Sequence, residues 1–176
     1  YKYKGDPYMV GSLARLNLAK DRLHKKTQES AAEALKLFSS TDIFMNNVAQ
    51  AIEVLHSLDH AIEILQTTKF TKEPIIKVPY KAGTGVGVIE APRGTLYHKV
   101  TIDDKGIVVE GEIVVPTGQN QINIEQDIVT LVNSLLPDTT KEKIEFEIEK
   151  LIRAYDPCMS CGSHFMTVKW DPVRGG

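Results

Sequence analysis

Apolar residues recur at three- and four-residue steps near both ends of the chain and alternate with polar ones in a shorter stretch between. The clearest stripe is Phe44, Val48, Ile52, Leu55, Leu58, Ile62 and Leu65. It predicts one amphipathic helix from Ile43 to about Thr67, on the order of 35 Å long at 1.5 Å per residue. Ser40-Thr41-Asp42 ahead of it is a run of N-cap residues. The Pro-containing stretch from Glu73 to Tyr80 ends helical character. Further upstream, Leu13, Leu16 and Leu18 predict a helix from Gly11 to about Thr27, and Ala31 to Phe38 a short second one.

The middle of the chain changes period. Gly83, Gly85 and Gly87 alternate with other residues and read as a glycine-rich approach to a strand; Leu96, His98, Val100 and Ile102 alternate with polar residues as a half-buried strand does. Asp103-Asp104-Lys105-Gly106 is a hairpin turn, and Ile107 to Val115 supplies the return strand. Helical spacing resumes from Ile122 to Leu136, where Pro137-Asp138 breaks it. A last helix follows a capping box of Thr139 and Glu142, with Ile144, Ile148, Leu151, Ile152 and Tyr155 as its apolar face. Asp156-Pro157 stops it, because a residue before proline is pushed out of the α region. The fold class expected is α+β, mostly helical, with long amphipathic helices and a small antiparallel hairpin or sheet.

Composition narrows the class without naming a function. A chain of 176 residues with 42% hydrophobic and 25% charged residues can bury one substantial core. A formal net charge of -2 and no basic stripe give no electrostatic case for nucleic acid. No apolar run approaches the roughly 20 residues of a membrane span, no secretory signal is visible, and two cysteines do not make a disulfide framework. A cytoplasmic, reduced setting is expected. Because the first residue is Tyr1 and the first methionine Met9, the chain is expected to be a piece or a processed product of something longer.

The chemistry is concentrated near the C-terminus. Asp156-Pro157-Cys158-Met159-Ser160-Cys161-Gly162-Ser163-His164 holds both cysteines, at i and i+3, with an imidazole three residues later. That is a soft-metal site in outline. It supplies three ligands where a closed zinc site takes four, so other ligands must come from elsewhere. A structural zinc half-site or an idle thiol pair is the alternative. A redox pair fits poorly, because CxxC in that role opens a helix after a strand, whereas here it follows a helix and a proline. Glu90-Ala91-Pro92-Arg93-Gly94 places a guanidinium on a Pro-Gly kink, suited to point into a cavity or to serve as an ordinary turn arginine.

Other motifs carry less. Gly83-Thr84-Gly85-Val86-Gly87 has its third glycine one place too early for GxGxxG, lacks the Lys-Ser or Lys-Thr of a Walker loop, and opens no helix. His56 and His60 share a helix face, but Ser57 stands where a zincin has glutamate, so they read as half-buried or solvated helix residues. His24 and His98 read as structural.

Taken together, these segments resemble the C-terminal part of the large (alpha) subunit of the [NiFe]-hydrogenases. The near-terminal DPCxxCxxH of that family matches Asp156 to His164, preceded by Ile152-Arg153-Ala154-Tyr155. Glu-Ala-Pro-Arg-Gly before a hairpin matches Glu90 to Gly94, and Val-Val-Pro-Thr after it matches Val114 to Thr117, with Asn120 just beyond. Gly11-Ser12-Leu13-Ala14-Arg15-Leu16-Asn17-Leu18 is similar to the family's Gly-Pro-Leu-Ala-Arg run, Ser12 replacing the proline. The matches fall in family order over almost the whole chain. Within the family the chain looks most like the cytoplasmic enzymes serving coenzyme F-420, viologen dyes or heterodisulfide reductase.

The resemblance implies an oxidoreductase that cleaves H₂ heterolytically and reversibly, which needs a Lewis acid and a nearby base. It implies Cys158 as the terminal nickel ligand and Cys161 as the cysteine bridging nickel and iron, the iron carrying diatomic ligands. His164 and the Ile113 carbonyl would hold a peripheral magnesium or iron ion. Arg93 would hang over the open coordination position with Asp156 orienting it, and Pro116 and Thr117 would pack on and hydrogen-bond the diatomic ligands. Implied partners are the N-terminal part of the large subunit, the iron–sulfur small subunit, a maturation protease and nickel-insertion factors. Two departures stand out. The family's earlier Cys-x-x-Cys is absent, along with the acidic ligand of the peripheral ion, so this chain alone is expected neither to assemble the metal pair nor to turn over H₂. Residues 165–176 follow His164 as an extension of the kind a maturation protease removes, leaving 1–164 as the functional part. Competing readings are a cysteine-free-type relative of the quinone-site subunit of complex I, against which Cys158 and Cys161 weigh, and a small structural zinc protein.

Overall fold

A computed structural model describes residues 2–160 and 168–170. Its elements run β1 (Lys2–Tyr3), β2 (Asp6–Pro7), α1 (Ser12–Ala19), α2 (Lys25–Ser30), α3 (Ala32–Leu35), α4 (Met45–Thr67), β3 (Gly83–Ala91), β4 (Gly94–Ile102), β5 (Val108–Val114), α5 (Pro116–Leu135) and α6 (Lys141–Tyr155). The expected α+β class holds. The sheet is a three-stranded antiparallel meander in the order β3-β4-β5, beside a two-residue ribbon of β1 and β2.

The long helix α4 ends at Thr67 as its pattern predicts, but begins at Met45 rather than Ile43. The polar cluster before it builds a turn instead of a cap: the Asp42 carboxylate accepts from Phe44 N at 2.9 Å and Ser40 Oγ from Asp42 N at 3.0 Å. The buried face of α4 is Asn46, Ala49, Ile52 and Asp59, not the expected run of large apolar residues. Leu58, Ile62 and Leu65 stay exposed at 58%, 46% and 69%. Ile52 and Ala49 pack with Leu13, Leu16 and Phe38 on one side, while Ile43 packs with Leu151, Ala154 and Tyr155 on the other.

The single helix expected from Gly11 to Thr27 is broken. Leu13 and Leu16 are buried, but Leu18 lies off their face and is 87% exposed; after Ala19 the chain makes a 3-10 turn over Lys20–Arg22. His24 then starts α2, its ring nitrogen accepting from Lys26 N. The second run shrinks to α3, with Phe38 buried just beyond it. Gly83 to Gly87 lies within β3 itself, paired with Ile102 to His98 on β4. The turn at 103–106 forms as expected: Asp103 Oδ1 accepts from Lys105 N at 2.8 Å and Ile107 N at 2.9 Å, and Gly106 takes φ 76°.

Helix α5 begins six residues before the Ile122 expected. Pro116 is its first residue, where a missing N–H costs nothing. Beside Pro116 the first turns bury the polar Thr117, Gln119 and Asn120, which a hydrophobic pattern does not reveal. Gln119 Nε2 donates to Thr95 O at 2.6 Å, and the Asn120 amide pairs with both backbone groups of Val10 at 2.9 Å. Helix α6 is capped by Thr140, whose hydroxyl accepts from Lys143 N, and not by Thr139. Its expected apolar face is buried except Ile152, which is half-buried, and its last residue precedes Asp156.

Candidate metal centre

Asp156 closes α6 in the left-handed region, φ 50° and ψ 54°. That conformation turns its carbonyl and carboxylate toward the β3–β4 turn. Arg93 Nε donates to Asp156 O at 2.7 Å and Arg93 Nη2 to Asp156 Oδ1 at 3.0 Å. Gln50, on α4, donates to the other carboxylate oxygen at 2.8 Å. The pair is partly solvated, Arg93 being 41% and Asp156 35% exposed. It therefore fixes geometry more than it adds stability.

Two residues on, Cys158 N donates to Thr117 Oγ1 at 3.0 Å. Thr117 lies in the first turn of α5 and is buried. Since its oxygen accepts this bond, its own O–H proton is left to donate elsewhere. Cys158 Sγ lies 3.3 Å from Ser160 Oγ. Hydrogen bonds thus draw Arg93, Asp156, Thr117 and Cys158 into one constellation. Pro116 is buried beside Thr117. Ile113 lies on β5 opposite His98, 57% exposed and outside that hydrogen-bond network. Cys161 and His164 lie outside the described residues.

The turn that carries Arg93 is held by the N-terminal segment. Gly94 takes φ 133°, and a Cβ there would sit 2.4 Å from Val10 Cγ2; a Cβ on Gly11 would sit 3.2 Å from Arg93 O. Only glycine allows the two segments to cross this closely. The sequence reading missed three residues around this turn: Arg15, Glu53 and Gln50. Arg15 bonds Glu53 at 2.7 and 2.6 Å and Glu90 at 2.8 Å. These carboxylates raise its pKa further, the hydrogen bonds Arg15 donates to Glu53 contributing most. Arg15 stands in the Gly-Ser-Leu-Ala-Arg run, which was its visible signal; Gln50 and Glu53 had only their shared helix face. Together with Ser12, Pro92 and Asp156 they line a cleft of about 790 Å³.

His24, His56 and His60 lie together. His56 Nδ1 accepts from His24 N at 2.9 Å, and the His56 and His60 rings stack with centroids 5.8 Å apart. Among the described residues no group of three or more His, Cys, Asp or Glu is placed to hold a metal ion.

The family of nickel-dependent hydrogenases matches residues 1–164. The chain belongs to that family. It is 34% identical over 164 residues to the alpha subunit of sulfhydrogenase 1 of Pyrococcus furiosus, covering 92% of this chain and 38% of that protein. It is also 34% identical to a subunit of the F420-non-reducing hydrogenase of Methanothermobacter thermautotrophicus, covering 92% and 35%, and to the beta subunit of the NAD-reducing hydrogenase HoxS of Cupriavidus necator, covering 88% and 33%. Among solved structures, an NAD+-reducing [NiFe]-hydrogenase in the H2-reduced state superposes with a TM-score of 0.68 at 29% identity, over 93% of this chain and 37% of that one. The chain thus spans less than half the length of the relatives it matches. In this family of hydrogenases, a metal pair is implied. The donor set fits it in part: Cys158 offers a thiol, the soft kind of donor nickel takes, and Cys161 and His164 of the sequence, outside the described residues, are a thiol and an imidazole.

Proposed function

We propose that this chain is the C-terminal part of the large subunit of a [NiFe]-hydrogenase and contributes half of the centre at which H₂ is reversibly oxidised. The observation that carries the reading is the double hydrogen bond from Arg93 to Asp156 two residues before Cys158, whose backbone N–H Thr117 holds. Cys158 and Cys161 would be nickel and nickel–iron ligands, and His164 with the Ile113 carbonyl would hold a peripheral magnesium or iron ion. When bound, the metal pair supplies the Lewis acid that polarises H₂. Arg93 presents a fixed cation beside the thiol loop, and Asp156 balances its charge and sets its direction. A guanidinium does not deprotonate near neutral pH, so we assign the proton released from H₂ to the Cys158 sulfur. Small, neutral H₂ offers no charge to grip; the work of the protein is positioning and exclusion of water.

The missing ligands would come from the rest of the large subunit, and electrons would leave through an iron–sulfur small subunit. Removal of residues 165–176 by a maturation protease after nickel insertion belongs to the same reading; a mature protein whose mass includes those residues would sink it. Coenzyme F-420 as acceptor draws no support from relatives named as F420-non-reducing, sulfhydrogenase or NAD-reducing, so the acceptor is left to the partner subunits. A cytoplasmic setting is part of the proposal, since thiols destined for nickel must stay reduced until the metal arrives. No helix among the described residues is long and apolar enough to cross a membrane. The test is the full-length subunit purified with its partners. Nickel and iron with H₂-dependent viologen reduction are expected, and Cys158→Ala should abolish both. A nickel-free protein, or full turnover by the Cys158 variant, overturns the proposal.

A further inference from the structure

Arg15 is bonded more completely than packing α1 against its neighbours requires. A guanidinium has five N–H groups, and here each finds an acceptor. Nε and one Nη2 proton take the two carboxylate oxygens of Glu53 at 2.7 and 2.6 Å. Nη1 takes Glu90 Oε2 at 2.8 Å and Ala91 O at 3.0 Å. The remaining Nη2 proton reaches Pro92 O at 2.9 Å, with Ser12 Oγ 3.2 Å away. Three of the residues it holds, Glu90, Ala91 and Pro92, are the three immediately before Arg93. Glu90 is braced from the other side by the Thr95 hydroxyl. Glu53 is itself fixed by Ser12 Oγ at 2.6 Å. Gln50, one turn before Glu53 on α4, holds the carboxylate that receives Arg93. The backbone that launches Arg93 and the carboxylate that catches it are therefore both referred to the same stretch of α4.

We propose that Arg15 is a positioning residue: it fixes the Glu90–Pro92 backbone so that the Arg93 guanidinium meets Asp156 beside the thiol loop. Lysine cannot replace it, because an ammonium has three donors and no planar fork, too few for two carboxylates and two carbonyls. This inference rests on the function proposed above for Arg93. Misplacing a reacting group by about 1 Å costs on the order of 100-fold in rate.

The test uses the complete, nickel-loaded enzyme carrying Arg15→Lys, with Arg15→Met as the stronger variant. Turnover is expected to fall roughly 10- to 100-fold, with nickel content unchanged and KM for H₂ moved less than about twofold. In an Arg93→Lys background, Arg15→Lys is expected to cost nothing more, because it acts through Arg93. A crystal structure of the Arg15→Lys protein, with or without metal, is expected to show the Arg93–Asp156 pair broken or rotated. If Arg15→Met does not fold, Arg15→Lys alone carries the comparison. Turnover of Arg15→Lys within twofold of the parent, effects that multiply with Arg93→Lys, or an intact Arg93–Asp156 pair would each overturn the inference. Full turnover by Arg93→Lys would instead strike the functional reading, and the crystallographic readout would still decide the role of Arg15.

Discussion

Replacing Asn46 by alanine tests the junction of three helices. Asn46 is 4% exposed. Its Oδ1 accepts from Leu13 N at 3.1 Å, one of the first-turn N–H groups of α1 that no helical carbonyl can reach. Its Nδ2 donates to Ala154 O at 2.9 Å, one of the last-turn carbonyls of α6. One side chain thus satisfies an orphan donor and an orphan acceptor, both buried. Alanine strands the two, at about 1–3 kcal/mol for each unsatisfied buried group. Entry of water into the vacated space would recover part of that, so a loss of about 3 kcal/mol is expected. The assay is urea unfolding followed by far-UV circular dichroism, comparing midpoints at constant m. Asn47→Ala, an exposed neighbour on the same turn, is the control and should stay within about 0.5 kcal/mol of the parent. If Asn46→Ala costs under about 1 kcal/mol, or no more than Asn47→Ala, the bridging argument is wrong.

Three further outcomes are expected. Burial, and then the hydrogen bond to Asp127 at 2.5 Å, push the Tyr155 phenol well above its ordinary value. A raised folded-state pKa gives stability that is whole below about pH 10, the unfolded value, and is lost as pH rises toward the folded one; Tyr155→Phe should flatten that alkaline limb in urea midpoints measured from pH 8 to 11. Gly94→Ala should cost about 1–3 kcal/mol and loosen the Arg93 turn, because its Cβ would strike Val10, whereas Gly85→Ala, with nothing within 4 Å, should be neutral or stabilising; thermal melts of the two variants separate these. Thr140→Ala should destabilise by about 0.5–2 kcal/mol through loss of the α6 cap, while Thr139→Ala should do little.

Local chemistry made much of the fold legible. The Asp103–Gly106 turn and the stop of α6 before Asp156 each follow from residues within a turn of the event. What sequence reading missed is set by distant partners. Leu18 has the right residue type for a stripe, but two residues past Leu16 it lies off the buried face, and the chain leaves the helix after Ala19. The start of α5 is invisible to a hydrophobic pattern because Gln119 and Asn120 are buried by bonding β4 and Val10. The apolar run Leu58, Ile62 and Leu65 reads as core and yet is exposed in this chain. Of the site, Arg93, Asp156, Cys158 and Thr117 were singled out through family motifs; hydrogen bonds join Arg93 to Asp156 and Cys158 to Thr117, while their roles at a metal belong to the proposal. Gln50 and Glu53 were not singled out, since polar residues on a helix face carry no period that marks them as partners, and Arg15 was visible only as part of the Gly-Ser-Leu-Ala-Arg run, without its partners.

Apart from the local Thr95–Glu90 bond, the side-chain bonds that anchor the Arg93 turn close long stretches of chain. Arg15 and Pro92 are 77 residues apart, Arg93 and Asp156 63, Gln50 and Asp156 106, and Val10 and Asn120 110. Closing such loops is paid for in entropy before any contact rewards it, and topologies rich in distant contacts fold slowly. The individual helices and the β3–β5 meander, made of local contacts, can form early, whereas the junction of Val10, the Arg93 turn and the end of α6 can knit only after all three segments have met. Ribosomal synthesis sharpens the point: Asp156 leaves the exit tunnel long after Gln50 and Arg93, so the Arg93 turn waits without its anchor while the intervening chain is made.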